Sequence, residues 1–221
     1  MIKLIILDFD GTLGDTRSNI VLTMSQALVR RGYPVASEEA IAATIGLRLE
    51  NCVEQLVPGI SKADALECAR TYRELFEVNR KLLVPRLFPH VKETLASLKR
   101  QGFVLTVASS RSSGSLNEFL EEMGVADCIS YVIGANNVTN AKPHPEPVLK
   151  TLSELGFTPE ETLVVGDMPV DILMGQRAGA FTCAVTYGNA SREALASEGP
   201  DYIIDDFSEL IPMVVRPLPQ S

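Results

Sequence analysis

The sequence is poor in basic residues and contains no cluster of Lys and Arg. Its 221 residues include 20 Lys and Arg against 28 Asp and Glu, which gives a formal net charge of -8 at pH 7. Nucleic acid backbones are bound by clustered basic side chains, so this composition argues against nucleic acid as a partner.

Long hydrophobic runs are also lacking. No segment approaches the roughly 20 consecutive apolar residues that a helix needs to cross a bilayer. The N-terminus has no small-residue cleavage site of the secretory type. We therefore expect no membrane association and take the cytoplasm as the default compartment. With 46% hydrophobic residues, the chain can form one large domain, or a core domain with a small insert. The sequence does not distinguish a monomer from a dimer.

Cysteine is scarce and is not arranged in pairs. The four cysteines are widely separated and have apolar neighbours, without the paired spacing of zinc sites. We expect reduced thiols in or near the core. They are Cys52, Cys68, Cys128 and Cys183.

What the chain does contain, near its N-terminus, is the segment KLIILDFDGT at residues 3–12. The apolar run predicts a buried strand, and Asp8 and Asp10 follow at its carboxyl end on the same face. Two crowded carboxylates are tolerated if a hard cation such as Mg²⁺ bridges them, or if one keeps a proton. Gly11 permits a tight turn and the approach of an anion to the backbone N–H groups. An ordinary strand followed by an Asp–Gly turn would have the same sequence.

Residues 16–86 show helical periodicity with hardly any strand-like alternation, which predicts an all-helical insert. We expect its first helix to begin at a Ser18 cap and its second to begin after Ser37. The predicted helices of the insert span residues 18–30, 38–45, 50–56 and 62–80.

From residue 87 onward, short apolar strands alternate with helices, a pattern typical of a parallel sheet with right-handed crossovers. We therefore predict an α/β fold with a doubly wound, Rossmann-like parallel sheet formed by residues 1–15 and 87–221, and a helical domain at residues 16–86. Residues 216–221, with two prolines, are expected to be loosely held. The predicted strands are 104–109, 129–133, 162–165, 182–185 and 202–204; the predicted helices are 91–101, 115–123, 145–155, 170–178, 192–197 and 208–215.

Polar residues at the ends of the predicted strands indicate a binding site, because ligands of doubly wound sheets bind beyond the carboxyl ends of the strands. Ser109 and Ser110 follow one strand and place hydroxyl and backbone N–H groups near a helix start, where an anion is well received. Plain helix capping would also account for them. Lys142, in the proline-rich segment AKPHPEP, could neutralise phosphate charge or lie solvated on the surface.

Two more carboxylates follow the strand TLVVG. Asp167 comes directly after it, and Asp171 follows four residues later. Acids, a hydroxyl and a lysine at several strand ends would form one pocket, and a divalent cation with a dianionic group would balance its charges.

The order of these motifs, DFDGTL, VASSR, AKPHPEP and GDMPVD followed by ILMGQRAGA, resembles the haloacid dehalogenase superfamily of phosphohydrolases. The resemblance covers nearly the whole chain, and the helical insert resembles the small helical cap of that superfamily. It implies a Mg²⁺-dependent enzyme that acts on a small phosphorylated metabolite.

The resemblance also implies roles for the individual carboxylates. Asp8 corresponds to the nucleophile that forms an aspartyl-phosphate. Asp10 corresponds to the general acid/base, with a backbone carbonyl that reaches the metal. The metal ligands implied are Asp8, Asp10 and Asp167, and Asp171 would support that shell and orient Lys142.

The phosphate-binding set completes the expected site. The resemblance implies that Ser109 and Lys142 bind the transferring phosphoryl oxygens, where positioning and charge neutralisation matter most. The full set expected to bind phosphate is Ser109, Ser110, Lys142, Gly11 and Thr12.

The cap should determine the substrate. Arg48 lies in a segment that resembles the specificity loop of capped members, so it is the candidate for binding a substrate carboxylate or second phosphate. A solvated Arg on a helix turn is the alternative. The chain is most similar to phosphoglycolate phosphatases, through DGTL, the stretch at residues 72–76 and Phe88-Pro89. The chain differs from those proteins at His90 and in its Val-Ala-Ser motif, and these differences leave the identity of the substrate open.

Several other functions remain. Within the superfamily, inorganic pyrophosphate and sugar phosphates are alternative substrates, although Ile20 stands in the region where mutases usually carry a histidine. A different class would be a non-enzymatic phosphoacceptor or a binding module. Receiver domains of bacterial signalling also combine acids, a hydroxyl and Lys-Pro, but they lack a helical insert and place their acids on different strands.

Overall fold

A computed structural model of the protein describes residues 1–215. The expectation of a loose tail at residues 216–221 lies outside the described residues. Six parallel strands form the main sheet: β1 (Leu4–Leu7), β4 (Val104–Ala108), β5 (Tyr131–Ile133), β6 (Thr162–Gly166), β7 (Phe181–Val185) and β8 (Tyr202–Ile204). Their order across the sheet is β5-β4-β1-β6-β7-β8.

The first strand lies at the centre of this sheet. Leu7 is in register with Val107 of β4 on one side and with Val165 of β6 on the other. From β1 the chain first builds β4 and β5 on one side of the sheet and then returns to build β6, β7 and β8 on the other side, so the strand order reverses at β1. Such a reversal opens a crevice beyond the carboxyl ends of the strands, which is where an open α/β sheet binds its ligands.

Alternate residues of the central strand serve two different hydrophobic cores. Ile5 and Leu7 belong to the larger core, whereas Leu4 and Ile6 belong to the core on the opposite face. All four side chains are fully buried. A strand covered on both faces has a continuous apolar sequence rather than an alternating one, which explains the run LIIL.

Helices cover both faces and form the insert. The four helices of the insert are α1 (Arg17–Arg30), α2 (Glu38–Ala42), α3 (Leu49–Leu56) and α4 (Lys62–Leu82). The others are α5 (Val91–Arg100), α6 (Ser113–Glu122), α7 (Glu146–Leu155), α8 (Pro169–Arg177), α9 (Arg192–Ser197) and α10 (Leu210–Val215). The α/β sheet with an inserted helical cap is thus confirmed. None of the helices within residues 1–215 is both long and apolar enough to span a membrane.

A short ribbon that the sequence did not predict joins the insert to the sheet domain. Strands β2 (Gly14–Asp15) and β3 (Arg86–Leu87) pair antiparallel, with Asp15 opposite Arg86. The two connections between the sheet domain and the insert therefore lie side by side.

Several element boundaries differ from the predictions by one to a few residues, and three of the differences have a local cause or change the element type. Helix α1 begins one residue before Ser18, and Thr16 occupies its N-cap position without a side-chain cap. Helix α2 does begin at a Ser37 cap but ends at Ala42, short of the predicted residue 45. The predicted helix at residues 208–215 is a 3₁₀ turn followed by α10. All four cysteines are free, as expected, and three of them are buried.

Candidate active site

Four segments bring buried polar side chains to one end of the sheet. Asp8 follows β1, Ser109 follows β4 and Asp167 follows β6, while Lys142 comes from the loop that precedes α7. Each of these residues is at most 7% exposed. Polar groups this deeply buried are stable only when they are paired, so their partners define the site.

Three carboxylates form its centre. One oxygen each from Asp8, Asp167 and Asp171 lies within 4.8 Å of the others, and all three residues are buried. Like charges at such distances repel each other strongly when water is excluded. The predicted metal ligands are Asp8, Asp10 through its backbone carbonyl, and Asp167, with Asp171 in support; the cluster contains the carboxylates of Asp8, Asp167 and Asp171, and metal binding stays a prediction.

Lys142 is the cation that faces this cluster. Its Nζ atom donates to Asp8 Oδ1 at 2.5 Å and to Asp171 Oδ1 at 2.7 Å. Burial alone would lower the pKa of Lys142, but Asp171 and Asp8 raise it above its usual value. The two carboxylates therefore favour the charged form of Lys142 beside Asp8, and the orientation of Lys142 by Asp171 stays a prediction.

Asp167 is held by three neighbouring groups. Thr12 Oγ1 donates to Asp167 Oδ1 at 3.1 Å, and Asn189 donates to Oδ2 through its backbone N–H at 2.7 Å and its side-chain Nδ2 at 2.9 Å. The same Nδ2 lies 3.3 Å from the backbone carbonyl oxygen of Asp10. That carbonyl oxygen and the Asp167 carboxylate are therefore adjacent, although the Asp10 side chain is directed elsewhere.

The Asp10 carboxylate pairs with Arg111. Arg111 Nε lies 2.9 Å from Asp10 Oδ1 and 2.7 Å from Oδ2, and Thr16 Oγ1 donates to Oδ1 at 2.6 Å. Burial alone would lower the pKa of Arg111, but Asp10 raises it. The two aspartates of the first motif thus have different cations, Lys142 for Asp8 and Arg111 for Asp10.

The charge balance of the cluster favours a bound cation. Burial raises the pKa of Asp8 well above its usual value, against the opposing effect of Lys142, and the neighbouring Asp171 and Asp167 raise it further. Burial, with Asp171, also raises the pKa of Asp167 to about 7. Three buried carboxylates share one lysine, and hard oxygen donors in this arrangement fit a divalent cation such as Mg²⁺. Asp8, Asp167 and the Asp10 carbonyl would hold it, with Asp171 beside them.

Several predicted phosphate-binding residues already have partners. The Gly11 N–H donates to the Gly14 carbonyl, and the Thr12 hydroxyl donates to Asp167. The Ser110 hydroxyl donates to the carbonyl of Gly46 in the cap at 2.5 Å. The Ser109 hydroxyl accepts from the Arg111 N–H at 3.3 Å and lies at the strand end. Phosphate binding by this set stays a prediction.

Arg48 joins the cap to the sheet domain. Its Nη2 atom donates to the carbonyl oxygens of Ala135 at 3.3 Å and Val138 at 2.7 Å. Its Nε atom is buried and has no partner among residues 1–215. The predicted binding of a substrate anion by Arg48 stays a prediction, because part of its guanidinium already contacts the backbone of the sheet domain.

Two cavities lie between the cap and the strand ends. The smaller, about 100 Å³, borders Asp10 and Arg111 and is lined mostly by apolar cap residues such as Ile20 and Leu47. The larger, about 540 Å³, borders Arg48 and Arg111. Arg111 and Ser110 therefore face both spaces.

Sequence reasoning missed three residues of the site. Arg111 stands in the quoted VASSR motif, but only its serines were assigned a role. Asn189 follows β7 and could have been found by the same argument from strand ends that selected Asp167. Thr16 gave no comparable signal, because its hydroxyl reaches Asp10 through the local turn rather than through a motif.

Comparison with known proteins agrees with this geometry. The sequence profile of the haloacid dehalogenase-like hydrolases matches residues 5–185. A protein described as a probable phosphatase, IndB, from Dickeya dadantii is 38% identical over 216 residues, covering 96% of this chain and 93% of that protein. A phosphoglycolate phosphatase from Photorhabdus laumondii is 32% identical over 219 residues, covering 98% and 94%.

The fold is shared with solved structures as well. A crystal structure described as a predicted phosphoglycolate phosphatase from Haemophilus somnus superposes with a TM-score of 0.87 at 28% identity. The alignment covers 96% of this chain and 98% of that one. Both the sheet domain and the helical insert therefore have counterparts in that structure.

Proposed function

The chain belongs to the haloacid dehalogenase-like hydrolase family, and on that premise we propose that it hydrolyses a small phosphorylated metabolite with the help of Mg²⁺ and an aspartyl-phosphate on Asp8. It is a phosphoric monoester hydrolase by its similarity, over nearly its whole length, to proteins named as phosphatases. The observation that carries the proposal is the buried cluster of Asp8, Asp167 and Asp171 around Lys142.

Asp8 is suited to attack phosphorus. Lys142 holds its Oδ1 atom, which leaves Oδ2 to form the new bond to phosphorus while the bond to the ester oxygen breaks. Lys142 remains beside the reacting group, and with Ser109 it would bind the phosphoryl oxygens. When bound, Mg²⁺ would supply positive charge that neutralises those oxygens.

Asp10 would move the proton in both half-reactions. It would donate a proton to the departing ester oxygen and then accept one from the water that attacks the phosphorus of the aspartyl-phosphate. Water attack releases inorganic phosphate and restores the Asp8 carboxylate, so atoms and charges balance over the cycle. Arg111 and Thr16 hold the Asp10 carboxylate in place next to the smaller cavity.

Residues 16–86 would act as the substrate-selecting cap. Helices α1 to α4 cover the end of the sheet where the carboxylates lie, and the β2–β3 ribbon provides two adjacent crossings about which the cap can move. The first candidate substrate is 2-phosphoglycolate, because proteins named phosphoglycolate phosphatase align with 98% of the chain at 32% identity or more.

The test is turnover of a panel of phosphate esters by the purified protein with Mg²⁺. The panel holds 2-phosphoglycolate, pyrophosphate, a sugar phosphate and p-nitrophenyl phosphate. We expect phosphate release that EDTA abolishes and that Asp8→Asn reduces by about three orders of magnitude or more, as for removal of a nucleophile. Asp127→Asn, which changes an exposed carboxylate in the segment that precedes β5, is the matched control and should leave turnover unchanged.

Acid quenching during turnover tests the intermediate. Peptide mass spectrometry should find a phosphoryl group on the peptide that contains Asp8, and not in Asp8→Asn. Undiminished turnover by Asp8→Asn would remove Asp8 as the nucleophile. No turnover of any ester by the wild type would favour a binding module instead.

A further inference from the structure

Arg111 presents unused hydrogen-bond donors to the space in which a leaving group would lie. We propose that Arg111 binds a carboxylate on the alcohol portion of the substrate. It would thereby select phosphate monoesters whose alcohol portion carries a carboxylate. The proposal rests on the proposed function and narrows its substrate class.

One edge of the guanidinium is already occupied. Arg111 Nε lies 2.7 Å and 2.9 Å from the two Asp10 carboxylate oxygens. A guanidinium carries five N–H donors in a rigid fork, and Nε supplies only one of them. The remaining four belong to Nη1 and Nη2.

Those four donors have no hydrogen-bond partner within residues 1–215. The hydrogen bonds of the Arg111 side chain all originate from Nε. Neither Nη atom is sealed away from solvent, since within the described chain only Arg48 Nε is both buried and without a partner. The Arg111 side chain as a whole is 12% exposed. It therefore offers a nearly desolvated, accessible pair of nitrogens, which is the arrangement that binds a carboxylate through two parallel hydrogen bonds.

Three aromatic rings hold the guanidinium in place. Its central carbon lies 4.7 Å from the ring centroid of Phe76, 5.0 Å from that of Phe119 and 6.0 Å from that of Phe9. Phe76 comes from the cap, and the other two rings come from the sheet domain. A cation fixed between rings and Asp10 loses little conformational freedom when it binds an anion.

The position of Arg111 sets the distance at which it can act. Asp10 must reach the ester oxygen to protonate it, and Arg111 contacts Asp10 directly. A leaving oxygen that Asp10 protonates would therefore lie within one side chain of Arg111, and a group two or three bonds from that oxygen would be within reach of its unused donors. The adjoining cavity of about 100 Å³ has room for a small alcohol portion, and its other walls are mainly apolar.

The other arginines near the site are less suitable. Arg48 borders only the larger cavity and donates to two backbone carbonyls. Arg73 is 55% exposed and pairs with Glu50 at 2.6 Å. Arg111 is the arginine that borders both the larger cavity and the one next to Asp10.

The test compares 2-phosphoglycolate with its carboxamide, which keeps the phosphate group but replaces the carboxylate by a neutral amide of similar size. We expect the wild type to prefer the carboxylate in kcat/KM by roughly 10- to 100-fold, the effect of one or two charge-assisted hydrogen bonds. In Arg111→Met this preference should fall to near unity. The variant removes the partner of the substrate carboxylate, whereas the amide substrate has no ionic partner to lose. A merely structural role would lower both values equally and leave the ratio unchanged.

Three further variants control the experiment. Arg111→Lys keeps the charge in its buried site but lacks the forked edge, so it should retain the fold and lose most of the preference. Arg48→Met and Arg73→Met should keep the preference for the carboxylate. A wild type that hydrolyses phosphate esters without preferring the carboxylate, or a preference that survives in both Arg111 variants, overturns this inference alone. A wild type that hydrolyses no ester overturns the proposed function.

Discussion

The Asp8 carboxylate and the Lys142 ammonium form a buried ion pair, with Oδ1 2.5 Å from Nζ, across 134 positions of sequence. Neither side chain is more than 4% exposed. The pair connects the end of the central strand to the loop before α7, and Asp171 connects the same ammonium to the first turn of α8. Lys142 therefore contributes both to the fold of the site and to its charge.

Removal of that ammonium should destabilise the protein. Lys142→Met keeps much of the side-chain volume but leaves the Asp8 and Asp171 carboxylates buried without their cation, which costs about 3–5 kcal/mol for a buried pair. We expect this loss in the free energy of unfolding from urea titration at pH 8, together with loss of turnover. The loss should be smaller at acidic pH, where the carboxylates take up protons.

Lys150→Met is the matched control for this variant. Lys150 pairs with Glu146 on the surface of α7, and its side chain is 49% exposed. An exposed pair of this kind contributes about 0–1 kcal/mol. If both lysine variants lost the same stability, the buried position of Lys142 would not matter.

The effect of Mg²⁺ on stability should depend on pH. The pKa of Asp167 is about 7 in the folded protein without metal, against 3.8 for an ordinary Asp. The folded state therefore holds this proton more tightly than the unfolded state, and stability falls as the pH rises from about 4 to about 7. Asp8, whose pKa is also raised, acts in the same direction. A divalent cation binds the ionised carboxylates and reverses the loss.

Thermal unfolding with and without Mg²⁺ measures this dependence. The increase in Tm on addition of Mg²⁺ should be larger at about pH 8 than at about pH 5.5, because protons compete with the cation at the lower pH. Asp167→Asn should reduce both the pH dependence and the response to Mg²⁺. An equal Mg²⁺ response at both pH values would contradict the assignment of the cluster as a metal site.

Gly11 should tolerate no side chain. Its φ is +94°, and a Cβ atom there would lie 2.1 Å from Asp167 Oδ2. Gly11→Ala should therefore displace the Asp167 carboxylate, weaken Mg²⁺ binding and lower stability. Gly32 has a similar φ of +78° but open space around it, so Gly32→Ala should cost only the backbone strain, about 1–2 kcal/mol. Calorimetric titration with Mg²⁺ separates the two effects, and equal Mg²⁺ affinity in both variants would count against the contact with Asp167.

Arg48 and Ser110 should keep the cap against the sheet domain. Arg48 donates to the carbonyls of Ala135 and Val138, and Ser110 donates to that of Gly46. In the double variant Arg48→Met, Ser110→Ala these bonds are lost, and we expect faster amide hydrogen exchange along α3 and a higher KM for every substrate. A rise in KM confined to carboxylated substrates would instead support the predicted binding of a substrate anion by Arg48.

The framework of the site could be predicted because strand ends are visible in the sequence. A buried parallel strand is an unbroken apolar run, and the residue that follows it must lie at the same edge of the sheet as its counterparts. Asp8, Ser109 and Asp167 were selected in this way, and all three are buried at that edge. Lys142 was selected from a stiff, proline-rich loop, and the structure places it between two of the predicted carboxylates.

The pairing of side chains could not be predicted in the same way. Arg111 and Asp10 are 101 positions apart, and the choice of Arg111 over Lys142 as the partner of Asp10 depends on side-chain directions that no local pattern encodes. Thr16 illustrates the same limit. Helix α1 begins after Thr16 and not at the expected Ser18 cap. The Thr16 hydroxyl donates to Asp10 and does not cap the helix, so no capping pattern marks this boundary in the sequence.

The β2–β3 ribbon makes the helical insert an exchangeable unit. Asp15 and Arg86 are paired partners, and paired residues of antiparallel strands have Cα atoms about 4.5–5.5 Å apart. Residues 16–85 therefore leave and rejoin the sheet domain at neighbouring points, where a tight turn would serve equally well. An insert from another protein with the same end spacing could be grafted there without altering the register of β1, so selectivity and chemistry could diverge independently on one scaffold.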